Sequence, residues 1–495
     1  MTLPTRAPRS SLSSPAVLRG LGVGVGLLLA VVTAVTGGAP GPGERALYDV
    51  AVSRLLPPLP TTADLVLVEV DDRALAALGE RWPLSRATWA RAFQALAAHR
   101  PNAVVVDILF DQPESRDALD LGEDVLERLR ASGLTRTPEG AALATDLEAR
   151  LHAQDGDARL AEAFSGLGRV ILGSMALAED AGPLPGEGNP LTAVPLRADR
   201  LRLEAKGLST NLSALRLAAW GSGTLNVLLD ADGVIRRYPY AVGVGGKAWP
   251  SLALATALRL WPERSEALLR VASTDDGAPL MRLPAPDWLP RVSLADVLAA
   301  GPSSVGLDLA LREKTVFVGV TATGLHGQST LPGQLAVPGV EIHAFAMDNL
   351  RTGRVLRATG GAALVGMGET ALVLGLLLWR RGRARSLGRV VGQSAVILVA
   401  HVAFVAWLAA DIGWVVPLLP GVVGLVLVTL AEAVVRTGDL QRQSGALKRL
   451  FGRFPTQPGA PTLKGTDTGA GPGDTDAPDA PDAAAARSGT DGPRR

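Results

Sequence analysis

Carboxylates follow two runs of β-branched residues, and they are the side chains best placed for binding chemistry. Asp71, Asp72 and Arg73 come after the first run, and Asp107 and Asp111 bracket the end of the second run. Open α/β sheets bind ligands beyond the carboxyl ends of their strands. We therefore expect two neighbouring strand ends to form one crevice that binds a ligand. The structural alternative is that these carboxylates only cap helices or turns.

Metal, phosphate and nucleophile motifs are incomplete elsewhere. Residues 230–233 (DADG) hold two carboxylates of a calcium loop but lack its later ligands, so they predict a hairpin turn. Gly319 and Gly324 have the spacing of a phosphate loop, but the Lys-Ser/Thr pair is absent. Glu341 and His343 lack zinc-helix spacing and predict a hydrogen-bonded structural pair. We expect no cofactor, no metal site, no catalytic residue and no enzymatic activity.

The composition excludes several classes of protein. The 495-residue chain is 47% hydrophobic, so part of it is expected to meet lipid. Its 49 Lys and Arg residues nearly balance 48 Asp and Glu residues, and no global basic field points to nucleic acid. The sequence has no cysteine, which excludes disulfides, thiolate metal sites and a cysteine nucleophile.

Four apolar stretches are long enough to cross a bilayer as helices. They cover residues 16–36, 361–379, 390–410 and 414–435. Residues 380–385 carry four arginines, and the positive-inside rule places this loop in the cytoplasm. The same orientation puts residues 1–15 in the cytoplasm and residues 44–357 outside. A cleaved signal peptide is the alternative for the first stretch, although its apolar run is longer than a usual h-region.

Two ionisable residues lie within these spans. Glu369 is in the middle of the second span, and His401 is in the middle of the third. Such groups are costly in hydrocarbon and usually face a partner helix or water. We expect a Glu369–His401 contact that acts as a coupling lock inside the bundle. The alternative is a protonated Glu369 that is hydrogen-bonded to backbone or to Ser and Thr hydroxyls.

The segment between the first and second spans alternates strand and helix patterns. Runs at residues 64–70 and 103–109 flank a helical pattern at 86–99, which predicts a β-α-β unit and a mostly parallel sheet. One helix is expected at residues 140–164 and a hairpin at 223–242. The predicted fold class is therefore an α/β domain with a mostly parallel sheet, four transmembrane helices and a disordered C-terminal tail.

Six short motifs carry a family resemblance. They are VEVDDR (68–73), RWPLSR (81–86), VDILF (106–110), LDADGVIR (229–236), VFVGVTA (316–322) and PGVEIHA (338–344). With these motifs the chain resembles the CHASE type 2 domain, an extracytoplasmic sensor of bacterial signalling receptors. The resemblance implies one anchor, a sensor domain, three spans and a cytoplasmic effector. It also implies a bacterial inner membrane with the sensor in the periplasm.

The chain departs from that pattern at two places. Gly327 stands where relatives commonly have an acidic residue, and residues 456–495 have a composition that cannot bury a folded core. Residues 436–455 form a basic amphipathic stretch that fits docking on a protein or on anionic lipid. The alternative is a plain extension of the last span.

We therefore expect a receptor that detects an unidentified small-molecule or environmental signal. The layout predicts that the signal passes through the three-span bundle to a separate cytoplasmic signalling protein. A sensor remnant that acts as a membrane scaffold or assembly protein is the alternative. The expected partners are thus the lipid bilayer and that signalling protein, with a homodimer as a compatible assembly.

Overall fold

The computed structural model describes residues 15–35, 41–56, 64–114, 117–180, 184, 191–274, 276–285, 287–301, 303–325, 329–358, 360–381 and 386–451. The chain divides into two units, Met1–Arg436 and Thr437–Arg495. Within the second unit only the last turns of one helix, up to Phe451, are described. Gly327 and the predicted tail at 456–495 lie outside the described residues.

The described strands, in chain order, are β1 (Leu65–Val70), β2 (Ala103–Val106), β3 (Val170–Leu177), β4 (Glu204–Ala205), β5 (Gly207–Ser209), β6 (Gly221–Thr224), β7 (Ala241–Val244), β8 (Lys247–Pro250), β9 (Arg291–Ser293), β10 (Thr315–Val320), β11 (Ser329–Leu331) and β12 (Gln334–Val337).

The described α-helices are α1 (Pro15–Val35), α2 (Pro42–Val50), α3 (Asp72–Leu78), α4 (Arg86–Ala98), α5 (Asp117–Ala131), α6 (Pro138–Gln154), α7 (Gly156–Leu167), α8 (Ser213–Ala218), α9 (Leu252–Leu260), α10 (Ser265–Ala272), α11 (Leu294–Ala299), α12 (Val305–Leu311), α13 (Gly339–Thr352), α14 (Gly360–Arg381), α15 (Leu387–Trp407) and α16 (Leu419–Phe451).

The central sheet is mostly parallel, which confirms the predicted α/β class. Its strand order is β5-β3-β2-β10-β1-β9, and β6 also pairs with β3. β5 runs antiparallel to β3, while the other pairings are parallel. The expectation that β1 and β2 are neighbours is wrong, because β10 lies between them. A strand from late in the sequence therefore occupies the centre of the sheet.

Both faces of the sheet are buried, which explains the uninterrupted apolar runs of its strands. Leu65 and Leu67 belong to the cluster on one face, together with side chains of α9 and α13. Val66 and Val68 belong to the cluster on the opposite face, together with side chains of α4 and α7. Alternate residues of one strand thus enter two separate cores.

Two local predictions differ from the structure. The single helix expected at residues 140–164 is divided into α6 and α7, because Asp155 accepts a hydrogen bond from Ala158 N and caps the second helix. The hairpin expected at residues 223–242 is only partly present. Its turn forms, since Gly233 N donates to Asp230 O at 2.8 Å. β6, however, joins the parallel sheet instead of pairing along the returning chain.

Four helices are long and apolar enough to cross a membrane: α1, α14, α15 and α16. α1 packs against α16 through glycines, and a Cβ placed on Gly26 would lie only 3.0 Å from Gly424 Cα. Close approach through small residues is typical of membrane helices. α16 begins five residues after the predicted start at 414, because the chain before it is extended and Val415 N bonds to Arg357 O at 2.9 Å.

Candidate functional site

The two carboxylates that follow β1 accept hydrogen bonds from the first turn of α3 and from neighbouring segments. Asp71 caps α3 by accepting from Ala74 N at 2.8 Å, and it also accepts from Ser293 Oγ at 2.8 Å. Asp72 accepts from Thr323 N at 3.1 Å and from Thr323 Oγ1 at 2.8 Å. These hydrogen bonds agree with the alternative interpretation, in which the two carboxylates cap a helix or a turn.

The other predicted site residues make contacts of their own. Arg73 forms an exposed ion pair with Asp296, and Asp111 accepts from Ser209 Oγ at 3.1 Å. Within the described part of the chain, no hydrogen bond or ion pair joins Arg73, Asp107 and Asp111. The structure therefore does not bring the predicted residues into one network, and their role in binding stays a prediction.

Asp107 at the end of β2 faces the start of α13. Its Oδ1 lies 3.6 Å from His343 Nε2, and its side chain is 17% exposed. His343 Nδ1 is hydrogen-bonded to the Tyr238 hydroxyl at 2.7 Å. A Cβ placed on Gly339 would lie 3.5 Å from Asp107 Oδ2, so the helix begins directly beside the carboxyl group. The protein's own helix thus covers this end of the sheet.

Burial shifts the proton affinities of this cluster in opposite directions. It raises the pKa of Asp107 to about 7 and lowers the pKa of His343 to about 4, because a low-dielectric environment disfavours both charges. Burial also raises the pKa of Tyr238. At neutral pH the His343 ring is therefore neutral, and Asp107 exchanges its proton near physiological pH.

The predicted pair of Glu341 and His343 is wrong. Glu341 bonds to Arg291 Nη2 at 2.6 Å, whereas His343 contacts Tyr238 and Asp107. Residues two apart on a helix do not face each other, so the two side chains point to different neighbours.

One buried arginine joins three carboxylates at the base of the domain. Arg236 donates to both carboxylate oxygens of Asp49 at 2.7 Å and to both of Asp232 at 2.8 Å. It also donates to Asp230 at 2.7 Å. Asp230 and Asp232 come from the predicted turn, whereas Asp49 belongs to α2. The turn therefore holds α2 through a shared guanidinium.

The charges in this cluster support one another. Only 2% of the Arg236 side chain is exposed. Burial opposes the charge, but hydrogen bonds to Asp49, Asp232 and Asp230 raise the pKa of Arg236 overall. The bond from Arg236 lowers the pKa of Asp232 to about 2. Sequence analysis missed this cluster. The feature that could have indicated it is an arginine four residues after a carboxylate of the turn, in a stretch with many apolar residues.

The opposite end of α2 caps a membrane helix. Glu44 Oε1 accepts from Leu419 N at 2.7 Å, and Oε2 accepts from Leu418 N at 3.3 Å. A carboxylate is favourable at a helix N-terminus, where backbone N–H groups lack partners. Burial raises the pKa of Glu44, and these two bonds oppose the shift. α2 thus contacts the start of α16 as well as the base of the domain.

The ionisable pair predicted within the spans is in contact. His401 Nδ1 is hydrogen-bonded to Glu369 Oε1, and Nε2 lies 3.2 Å from Leu418 O. A Cβ on Gly421 would lie 2.6 Å from His401 Nε2, so glycine makes room for the ring. One imidazole therefore joins α14, α15 and the residue preceding α16. Its role in coupling remains a proposal.

A second pair of ionisable residues joins two of the membrane-length helices, α1 and α16. Arg19 Nε of α1 lies 2.7 Å from Glu432 Oε1 of α16, and the Glu432 side chain is buried. A glutamate near the end of a span can reach the membrane surface with its carboxyl group and then needs no partner. Glu432 instead faces α1, and Arg436 Nε approaches it at 3.5 Å. Paired charges of this kind stabilise a polar group that would be costly alone in lipid.

A cavity of about 380 Å³ lies where the domain meets the spans. Its walls include Tyr48 of α2, Leu280 and Leu356 of the domain, Val405 of α15 and Pro417 before α16. The Tyr48 hydroxyl donates to Met281 O at 3.0 Å, which fixes α2 to the domain at this wall. Glu44 and Arg236 also line this cavity, so both contacts of α2 border the same space.

Comparison with known proteins identifies the family. A family model of the CHASE2 domain matches residues 25–380, a range that runs from α1 into α14. No curated protein and no solved structure matches the chain. CHASE2 domains are extracellular sensor domains. Since the match covers most of the sequence, the chain belongs to the CHASE2 domain family.

Proposed function

We propose that this protein is a bacterial inner-membrane receptor. Residues 44–357 detect a small-molecule or environmental signal in the periplasm, and α14, α15 and α16 relay it to a separate cytoplasmic protein. The observation that carries this proposal is the double attachment of α2. Asp49 ties α2 to the sensor domain through Arg236, and Glu44 ties it to the start of α16.

The relay follows from the stiffness of a short helix. A change at the turn that holds Arg236 moves Asp49, and α2 carries the displacement to Glu44. Movement of Glu44 alters the cap on Leu418 and Leu419. His401 responds because it contacts Leu418 O, and Glu369 responds through His401. Two discrete arrangements of this contiguous network would constitute the switch.

The output end of α16 supports a protein partner. Leu440, Leu447 and Leu450 are exposed apolar residues near basic residues of the same helix. Such an amphipathic end can dock on another protein.

Under this proposal the chain has no catalytic activity of its own. Replacing Leu447, Leu450 and Phe451 by Ser should abolish co-purification of a kinase or cyclase, and such activity in the purified chain alone contradicts the proposal.

Hydrogen exchange of the full-length chain tests the relay. Asp49→Asn removes one charge beside Arg236 but leaves Asp230 and Asp232 in place, so the domain stays folded. We expect faster exchange of the Leu419 amide, because loosening α2 weakens the Glu44 cap. Asp199→Asn is the control, since Asp199 forms an exposed pair with Arg197. Unchanged exchange at Leu419 in Asp49→Asn would show that α2 does not couple the two regions.

A further inference from the structure

A groove of about 600 Å³ lies between α14 and α15 and has polar residues at both ends. Glu369 and His401 lie at one end, and Arg380 and Arg389 lie at the other. Between them the walls are mostly apolar, with Gln393 as a polar exception, and the exposed Val396 forms part of one wall. The groove therefore has the character of an amphiphile site, with separate polar and apolar sections.

The length of the groove matches one leaflet of a bilayer. Glu369 and Arg380 are eleven residues apart on α14, which corresponds to about 16 Å at roughly 1.5 Å per residue. The hydrocarbon core of a bilayer is about 30 Å thick, so one leaflet contributes about 15 Å. The groove thus extends from the membrane edge near residues 380–389 to the level of the midplane.

The two arginines favour an anionic group at the membrane edge. Arg380 and Arg389 are exposed, and among the residues that the structure describes their side chains have no hydrogen-bonding or ionic partner. The opposite end holds a carboxyl group, and within the described chain Glu369 Oε2 is buried without a hydrogen-bond partner. An anion is attracted to one end and repelled from the other. The charges therefore orient an amphiphile.

We propose that this groove binds one acyl chain of an anionic phospholipid whose phosphate lies between Arg380 and Arg389. The chain contacts Leu376, Val396 and Phe404 and ends near Glu369. Basic pockets between membrane helices recognise anionic head groups in this manner. The bound lipid would lie against the Glu369–His401 pair. Binding of the lipid would therefore affect how α14 packs against α15.

Lipid retention by the full-length chain tests the proposal. The chain is reconstituted in nanodiscs with equal amounts of phosphatidylcholine and phosphatidylglycerol, extracted in mild detergent and analysed by native mass spectrometry. We expect preferential retention of phosphatidylglycerol. In the double variant Arg380→Gln, Arg389→Gln this preference should fall roughly fivefold for each arginine, or about 25-fold for both. Equal retention of both lipids by the wild type would overturn the proposal.

A wall substitution with a matched control separates the groove from general lipid contact. Val396→Trp fills the groove and should abolish lipid retention. Val391→Trp, at an exposed position of the same helix that does not line the groove, should keep it. If Val396→Trp retains the lipid as the wild type does, the site is wrong. If it instead dissociates a dimer without changing lipid retention, a second copy fills the groove and the proposal fails.

Discussion

At the scale of residues, burial has different consequences for Asp107 and Arg236. Arg236 keeps its charge because three carboxylates replace its lost water contacts. Asp107 is buried beside the neutral ring of His343, and burial raises its pKa to about 7, so its protonated form is favoured up to about neutral pH. The first group is therefore a fixed structural charge, whereas the second titrates in a physiological range.

The Asp107–His343 contact predicts two opposite pH dependences of stability. The pKa of Asp107 rises from 3.8 to about 7 on folding, so the wild type loses stability as the pH rises between those values. Asp107→Asn cannot ionise, and its melting temperature relative to wild type should increase across that range. The pKa of His343 falls from 6.5 to about 4, so its stabilisation is lost as the pH falls.

His343→Gln should accordingly gain melting temperature relative to wild type as the pH falls. Scanning fluorimetry of the full chain at several pH values measures both differences. If the melting temperatures of both variants change with pH in parallel with that of the wild type, the assigned pKa shifts of Asp107 and His343 are wrong.

Removal of the buried guanidinium should destabilise the domain strongly. Arg236→Gln leaves Asp49, Asp230 and Asp232 without their shared cation, and breaking a buried ion pair costs about 3 to 5 kcal/mol. Arg270→Gln is the control, because its pair with Glu266 is exposed; such pairs contribute about 0 to 1 kcal/mol. Thermal unfolding compares the two variants. Equal melting temperatures would show that the cluster does not stabilise the fold.

Sequence reasoning located the Asp residues but not their partners. Local patterns indicated that Asp71 and Asp107 end strands, because hydrophobic runs and strand ends are properties of neighbouring residues. The pairing of Arg236 with Asp49 joins residues far apart in the chain. No local periodicity encodes such a contact, so only the folded arrangement reveals it.

At the scale of elements, α16 is positioned by glycine as much as by charge. Gly421→Ala should push His401 away from Leu418, because the added Cβ would lie 2.6 Å from the ring. Gly438→Ala in the same helix meets nothing within 4 Å, and it should be neutral or stabilise the helix by about 1 kcal/mol. Melting temperatures of the two variants test this difference. A Gly421→Ala variant as stable as Gly438→Ala would contradict the packing role.

Element boundaries show where local patterns suffice. β1 and α4 lie close to their predicted ranges because each has a clear hydrophobic pattern. α2 was not predicted as a separate element, since nine residues after an apolar span give a weak pattern. Its importance comes from its contacts at both ends. Those contacts, like the position of β10 in the sheet, depend on tertiary structure.

At the scale of the whole molecule, the arginines after α14 fix an expected topology. A reporter fused after Arg385 should be active in the cytoplasm, and one fused within residues 182–195 should be active outside it. Paired alkaline phosphatase and fluorescent-protein fusions measure this. If both positions report the same side, the arrangement of four spans is wrong.

The central position of β10 has a consequence for biosynthesis. β1 and β2 are its partners, yet Thr315 is synthesised about 200 residues after Val106. At about 5 to 20 residues per second, the two strands wait roughly 10 to 40 s for the strand that joins them. During that interval the edges of β1 and β2 that later pair with β10 are exposed, and unpaired strand edges promote aggregation. The central sheet of this domain can therefore close only after residue 320 has been synthesised, and the unfinished sheet is exposed to aggregation until then.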